Sequence, residues 1–238
     1  MTHRNKVYFI IVAAGGGTRF GGDIPKQFMY LGDKIVLRHS IDTFQKFCEE
    51  GGVEGNIILV LSPAGRIFWS EQAAALYSGI RIAEGGPTRA NSVANALSLV
   101  EDAAAGDIIM VHDGARPLMT VDLLRRLIGT VRSGNKAVVP AIAPTDSLMQ
   151  KTEGPFAAPV CRSNYIAVQT PQAFDAETLI ESYSKKKGDI AAMTDDASVV
   201  FSVTGKPIFY IEGEDTNIKI TKPSDLPLAE YLVEQCSR

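Results

Sequence analysis

Cysteine and histidine are scarce in this chain, and neither is arranged for chemistry. The 238 residues hold three of each. Cys48, Cys161 and Cys236 lie far apart, with neither metal-type spacing nor a disulfide framework, which fits a reducing cytoplasm. With so few histidines and no G-x-S-x-G elbow, a Ser-His-Asp hydrolase is poorly supported. A basic excess is also missing. Lys and Arg number 24 against 27 Asp and Glu, a net charge of −3, and a nucleic-acid binder would more often show a basic stripe. The one basic run, Lys185-Lys186-Lys187, precedes Gly188 and reads as a solvated helix end. No apolar run is long enough to span a bilayer. The start, MTHRNKVYFIIV, has no convincing cleavage site after its short apolar stretch. Internal repeats and low-complexity linkers are absent. The expectation is a cytoplasmic protein with no nucleic-acid or membrane partner, forming a single domain over 1–238.

What is present begins with IVAAGGGTRFGGDIPKQ, residues 11–27. It follows Val7-Tyr-Phe-Ile-Ile-Val12, which reads as a buried strand. Gly15, Gly16 and Gly17 lack a Cβ and let backbone N–H groups approach a polyphosphate. Arg19 and Lys26 then offer fixed cations for the charge that grows during phosphoryl or nucleotidyl transfer. The common phosphate loops do not fit. A Walker A loop would need Lys and Ser/Thr where Gly22 and Asp23 stand after Gly16 and Gly21. A dinucleotide fingerprint would need a small third residue where Phe20 stands, which argues against an NAD-dependent dehydrogenase.

Short apolar runs alternate with helical patterns. Strands are expected at 7–13, 56–61, 80–83, 107–112, 136–142 and 207–211, and helices at 90–102, 120–132, 175–187 and 224–236. The alternation predicts an α/β fold with a mostly parallel sheet and helices on both faces, whose ligands gather at the carboxyl ends of the strands. Residues 143–170 break the rhythm with three prolines and a Glu153-Gly154-Pro155 turn, and read as a protruding β-arm that covers the site or reaches another subunit.

Four further segments carry candidate chemistry. In VHDGARP, Asp113 ends a strand where it would suit Mg²⁺, and Arg116 could face an anion. Alone, the motif reads more simply as a turn at Asp113 with a surface arginine. His112 reads as a packing or hydrogen-bonding residue, since no second histidine stands at ligand spacing. EGGPTRANS, residues 84–92, joins a strand to a helix and could read a base edge through its backbone, or be an ordinary turn. Arg162 and Thr170 frame the end of the arm as donors for a phosphate or sugar hydroxyl, Arg162 equally as an exposed arm residue. In DTNIKITKP, Asp215 could join Asp113 on a metal and Lys219 adds a cation; otherwise it is a polar loop in which Thr221 and Pro223 set the next helix start.

Taken together, AAGGGTRFGGDIPKQF, GGPTRANSV, VHDGARP, PTDS at 144–147, TPQAF and DTNIKITKPSDL resemble the 2-C-methyl-D-erythritol 4-phosphate cytidylyltransferase family over about residues 7–234. The motif set is specific for pyrimidine-nucleotide transferases acting on sugar-alcohol phosphates and less so for the acceptor. The resemblance implies a Rossmann-like nucleotide-diphospho-sugar transferase fold, an arm that interlocks two subunits as a homodimer, and CTP, a polyol phosphate and Mg²⁺ as ligands. It implies that Ala13, Ala14, Gly15, Gly16 and Gly17 bind the nucleotide, with Gly86, Arg89 and Ser92 lining the cytidine pocket. Arg19, Lys26, Arg162 and Lys219 would be the catalytic cations, and Asp113 with Asp215 the metal or ribose groups. Arg116, Thr145, Arg162 and Thr170 would bind the polyol phosphate, with Thr145 and Arg162 given across the dimer. Thr18 and Pro87 depart from the family pattern, where an arginine and an aspartate are common. The rival expectations are a ribitol 5-phosphate cytidylyltransferase, a hexose-1-phosphate nucleotidyltransferase and a non-catalytic nucleotide-binding regulator.

Overall fold

The computed structural model describes residues 5–16, 20, 24–186, 190 and 192–236, the side chain of Cys236 excepted. Gly17, Thr18 and Arg19 lie outside the described residues. In chain order the elements begin with β1 (Val7–Val12), β2 (Tyr30–Leu31), β3 (Lys34–Ile35), α1 (Val36–Gly51), β4 (Gly55–Leu61) and α2 (Pro63–Gln72). Next come β5 (Arg81–Glu84), α3 (Arg89–Leu97), β6 (Ile108–Asp113), α4 (Val121–Arg132) and β7 (Ala137–Ile142). The chain continues through β8 (Met149–Lys151), β9 (Ala157–Pro159), β10 (Ala167–Val168) and β11 (Gln172–Asp175). It ends with α5 (Ala176–Lys185), α6 (Asp196–Thr204), β12 (Phe209–Glu212) and α7 (Asp225–Cys236).

The main sheet runs β10-β7-β11-β6-β1-β4-β5, with β12 also paired to β7. Strand β1 is parallel to β4 and β6, β4 to β5, and β7 to β12. Strand β11 runs antiparallel between β6 and β7, and β10 antiparallel on β7. The sheet is thus mostly parallel, as its unbroken apolar strands imply. Alternation along those strands divides the core in two. Val7, Phe9 and Ile11 join Ile57, Leu59, Ile108 and Met110 on the face covered by α1, α2 and α4. Tyr8 and Ile10 join Ile58, Val60, Ile109 and Val111 on the face covered by α3, α5 and α6. On the first face, Phe9 stacks on Phe44 of α1 with ring centroids 4.5 Å apart.

Three helices (α1, α2 and α6) and three strands (β2, β3 and β11) have no counterpart among the expected elements. Helix α1 carries buried Val36, Leu37, Ile41, Phe44 and Phe47, a helical stripe that was readable. Helix α2 starts in the ordinary way, with Ser62 accepting from the Gly65 N–H and Pro63 in the first turn. Strand β11 is only Gln172–Asp175, and its QAFD shows no run that separates it from a turn. Helix α6 was also unforeseen; Asp195 caps it through the Ser198 N–H. The helix expected at 224–236 is α7, Asp225–Cys236, and the Asp225 carboxylate at its start accepts from the Thr221 and Lys222 N–H groups.

The chain winds outward from β1 through β4 to β5, then returns to place β6 on the other side of β1. The gap between β1 and β6 is therefore the topological switch point, where ligands of such sheets bind. Within the 143–170 excursion, β8 and β9 form a separate antiparallel hairpin with every residue of both strands exposed. No helix among the described residues is long and apolar enough to cross a membrane.

Candidate active site

A cavity of about 480 Å³ opens at the switch point, in the size range of small-molecule sites. Its wall comes from the end of β1 (Val12–Gly16), the β5–α3 turn (Gly86–Arg89), the end of β6 (Asp113–Ala115), and Lys26, Lys219 and Thr221. Val12 and Asp113 are direct register partners, so the glycine loop and the aspartate leave the sheet side by side.

The two glycine turns are built differently. A Cβ on Gly15 or Gly16 would meet nothing within 4 Å among the described residues. Gln27, itself buried, pins this loop by donating from Nε2 to the Ala13 carbonyl at 2.7 Å and the Gly15 carbonyl at 3.1 Å. In the second turn, a Cβ on Gly85 would come 2.3 Å from the Cβ of Ala14, and one on Gly86 2.5 Å from that of Asn91. Packing alone therefore requires the second pair. Ser92, expected in the cytidine pocket, closes this turn: its hydroxyl accepts the Gly86 N–H at 3.0 Å and donates to the Thr88 carbonyl at 2.9 Å. Phe20 lines the cavity and packs against the cluster of Leu31, Val36, Ile220 and Ala229.

Charge is concentrated on one wall. Among the described lining residues, Lys26, Arg89 and Lys219 are cationic and Asp113 is the single carboxylate. Asp113 Oδ1 accepts from Arg89 Nε at 3.0 Å, and Oδ2 from Lys219 Nζ at 2.6 Å. Burial pushes the Asp113 carboxyl up, but Arg89 and Lys219 outweigh it and hold the group well below the usual carboxylate range. Burial also disfavours the Arg89 charge, yet Asp196 and Asp113 reverse that and raise it above the ordinary arginine value. Arg89 Nη2 is buried and finds no partner among the described residues. Lys26 Nζ donates to the Ile220 carbonyl at 2.5 Å, joining the first loop to the segment that bears Lys219.

Several motif residues do not line the cavity within one chain. His112 is fully buried; its Nε2 faces the Arg116 carbonyl at 2.9 Å and its Nδ1 the Thr170 hydroxyl at 3.2 Å. The Thr170 oxygen accepts the Asp113 N–H at 3.0 Å, so its own proton is directed at Nδ1 and the imidazole is neutral with hydrogen on Nε2. Burial drives the His112 imidazole down to about 4. The packing reading of His112 describes this geometry. Arg116 is not a surface residue in this fold. It is partly buried, burial lowers its pKa, and Nη1 donates to the Asn217 carbonyl at 2.7 Å. Thr170 and Arg116 thus brace Asp113 and the Lys219 loop from behind, and neither lines the cavity. Thr145 and Arg162 are exposed on the excursion, where Arg162 Nη1 donates to the Thr145 carbonyl, and within one chain neither reaches the cavity wall.

Asp215 is exposed and does not line the cavity. Among the described residues no group of three His, Cys, Asp or Glu is placed to hold a metal. Magnesium, however, commonly takes one or two carboxylates and completes its shell with substrate phosphates and water. A carboxylate that accepts from two cations still has lone pairs to offer. The donor set fits an ion that arrives with a triphosphate and meets Asp113.

Some supporting residues were not singled out in advance. Gln27 was hidden inside the first motif. Gln169 clamps the later loop by accepting the Glu214 N–H at 3.1 Å and donating to its carbonyl at 2.8 Å, and Asn217 donates to the Thr170 carbonyl at 2.9 Å. These are buried polar residues beside motif positions, which was the available signal.

Known proteins share both the sequence and the shape. The family model described as 2-C-methyl-D-erythritol 4-phosphate cytidylyltransferase matches residues 7–235. The enzyme of that name from Bacteroides thetaiotaomicron is 38% identical over 226 residues, 94% of this chain and 98% of the relative. Its counterpart from Bacteroides fragilis is 39% identical, over 94% and 98% of the two chains. Among solved structures, 4-diphosphocytidyl-2C-methyl-D-erythritol synthase from Anaerococcus prevotii superposes with a TM-score of 0.80 at 26% identity, covering 97% of this chain and 96% of the other. The 2-C-methyl-D-erythritol 4-phosphate cytidylyltransferase from Francisella tularensis gives 0.78 at 29% identity, over 96% and 100%. A match from the first strand to the last helix, on a fold whose cationic cavity lies at the switch point, means that this chain belongs to the 2-C-methyl-D-erythritol 4-phosphate cytidylyltransferase family.

Proposed function

We propose that the cavity transfers CMP from CTP to 2-C-methyl-D-erythritol 4-phosphate, and that its cations act on the triphosphate. The reaction is a direct in-line displacement. An oxygen of the acceptor's phosphate attacks the α-phosphorus, the bond to the bridging oxygen breaks, and pyrophosphate leaves with the electron pair. The products are 4-diphosphocytidyl-2-C-methyl-D-erythritol and pyrophosphate, with no covalent enzyme intermediate. Such a transfer asks the protein for position and for charge stabilisation rather than for a nucleophile. The observation that carries the reading is the cavity lining, where Lys26, Arg89 and Lys219 accompany a single carboxylate among the described residues.

Each group has a task in this scheme. The backbone of Ala13–Gly16, held by Gln27, cradles the phosphates, and Gly86 and its turn receive the cytosine. Lys26, with Arg19 beyond the described residues, meets the negative charge that builds on the α-phosphoryl oxygens. Lys219 shares itself between Asp113 and the incoming phosphates. Asp113 would hold Mg²⁺ together with the triphosphate, and the ion would supply further charge neutralisation there. Thr145 and Arg162 reach the acceptor from the partner subunit of a homodimer built through the arm. The cysteine usage suits a reducing compartment, and we assign the protein to the cytoplasm.

The test is pyrophosphate release with CTP and each polyol phosphate in turn. Release with 2-C-methyl-D-erythritol 4-phosphate supports the assignment; release with ribitol 5-phosphate alone overturns the acceptor, and release with neither overturns the activity.

A further inference from the structure

Helix α6 contributes nothing to the cavity wall, yet its first residue reaches the cavity's charges from below. Asp196 is 0% exposed, and its Oδ2 accepts from Arg89 Nη1 at 2.8 Å. Its other oxygen accepts from the Tyr183 hydroxyl of α5 at 2.7 Å. The helix start is itself bolted to the sheet. Gln172 of β11 accepts the Ala197 N–H at 3.0 Å and donates to Asp195 at 2.8 Å.

The result is a row of alternating charges: Asp196, Arg89, Asp113, Lys219. A guanidinium left with one carboxylate tends to grip both of its oxygens at once. Arg89 does not do so here. Nη1 goes to Asp196, and only Nε meets Asp113, on Oδ1. Oδ2 is thereby left to Lys219, whose side chain is 39% exposed, the most exposed member of the row.

We propose that Asp196, oriented by Tyr183, is a positioning residue for the transfer: by drawing off one arm of Arg89 it keeps an Asp113 oxygen for Lys219. Without Asp196, Arg89 turns onto both Asp113 oxygens and Lys219 is displaced from the cavity wall. The competing explanation is that Asp196 merely docks α6 on α3 and favours the α6 N-terminus, as an acidic first-turn residue does. In that case its loss lowers stability and activity without regard to Lys219.

The inference rests on the reading of Lys219 as a phosphate-binding group, and a double-mutant cycle separates the two. CTP affinity by calorimetry, turnover, and the thermal midpoint are measured for the unmodified protein, Asp196→Asn, Lys219→Met and the double variant. Calorimetry is the primary readout because it does not need residual turnover. The expected result is a loss of about tenfold in CTP affinity from Asp196→Asn, the scale on which supporting groups act. In the Lys219→Met background the same change should cost less than about twofold. Tyr183→Phe should move affinity the same way by a smaller factor and keep the ring's packing. Should Asp196→Asn not fold, the Tyr183→Phe and Lys219→Met cycle is read instead. Equal losses with and without Lys219, or no loss from a folded Asp196→Asn protein, overturn the proposal. Full CTP affinity in Lys219→Met alone would instead overturn the reading of Lys219.

Discussion

Lys26 is tied to a segment 194 positions away as well as to its task. Its ammonium rests on the Ile220 carbonyl and lines the cavity, so its charge is aimed before substrate arrives. Lys26→Ala is expected to lower kcat by about 100- to 1000-fold, the size of losing one charge-stabilising donor, with a thermal midpoint near that of the unmodified protein. A single-turnover assay checks this, and near-normal turnover would remove Lys26 from the mechanism. A pH effect belongs to His112. The unfolded chain takes up its proton below about 6.5 and the folded protein only near 4, so between these values the unfolded state binds more protons. The stability from keeping the ring neutral is full above 6.5 and is lost as pH falls toward 4, a span of roughly 3 kcal/mol at most. Buried His39, whose pKa burial also lowers, adds in the same direction. Denaturant midpoints between pH 7.5 and 4.5 should show the fall, and His112→Asn should flatten it; equal slopes would refute the assignment. At this scale the motif set as a whole pointed to Lys26, Asp113 and Lys219, which line one cavity, although VHDGARP alone read as a turn. The burial of Arg116 and Thr170 was not legible, because spacing along the chain does not tell which side of a strand end a side chain takes.

The two glycine turns allow a comparison between elements. Gly16 faces open space, so Gly16→Ala should fold with an unchanged melting temperature and yet bind CTP more weakly, since the new methyl stands where phosphate is to lie. Gly86→Ala places a Cβ against Asn91 and the Ser92 N–H, so the start of α3 must shift, at a cost of about 1–3 kcal/mol. Parallel calorimetric melts and CTP titrations separate the outcomes, and the picture fails if both variants lose stability alike. Strands buried on both faces were readable from their unbroken apolar runs, and β1, β4 and β6 lie where those runs are. Short QAFD carries no such run, and it took its place as β11 through pairing with β6 and β7. Pairing of this kind is a long-range property that a local pattern does not hold. Helix α6 shows little contrast in the sequence because exposed Phe201 lies off the face that buries Val199 and Val200.

Over the whole molecule, the feature that one chain leaves unfinished is the excursion after β7. Phe156 is 73% exposed and Met149 64%, and an isolated two-stranded hairpin is marginal in water. Tyr165, Ile166 and Val168 add exposed apolar surface on the return path, and Phe209 and Tyr210 lie exposed on nearby β12. A patch of this kind marks an interface, and a second copy of the chain is the proposed cover. Sedimentation should give a dimer, and Phe156→Glu should shift it toward monomer and lower turnover together. A monomeric but fully active variant would detach Thr145 and Arg162 from the acceptor.

The bond from Lys26 to the Ile220 carbonyl spans 194 positions of sequence. It dates the birth of the site. A nascent chain can assemble β1, β4, β5 and β6 while still on the ribosome, and the glycine loop with them. The floor beneath Arg89 comes only with Asp196, and the cation opposite Asp113 only with Lys219, 106 positions after that aspartate. Until then the growing polypeptide carries a cradle with no clamp, so nucleotide should help the chain only after the segment of Lys219 and Ile220 has emerged.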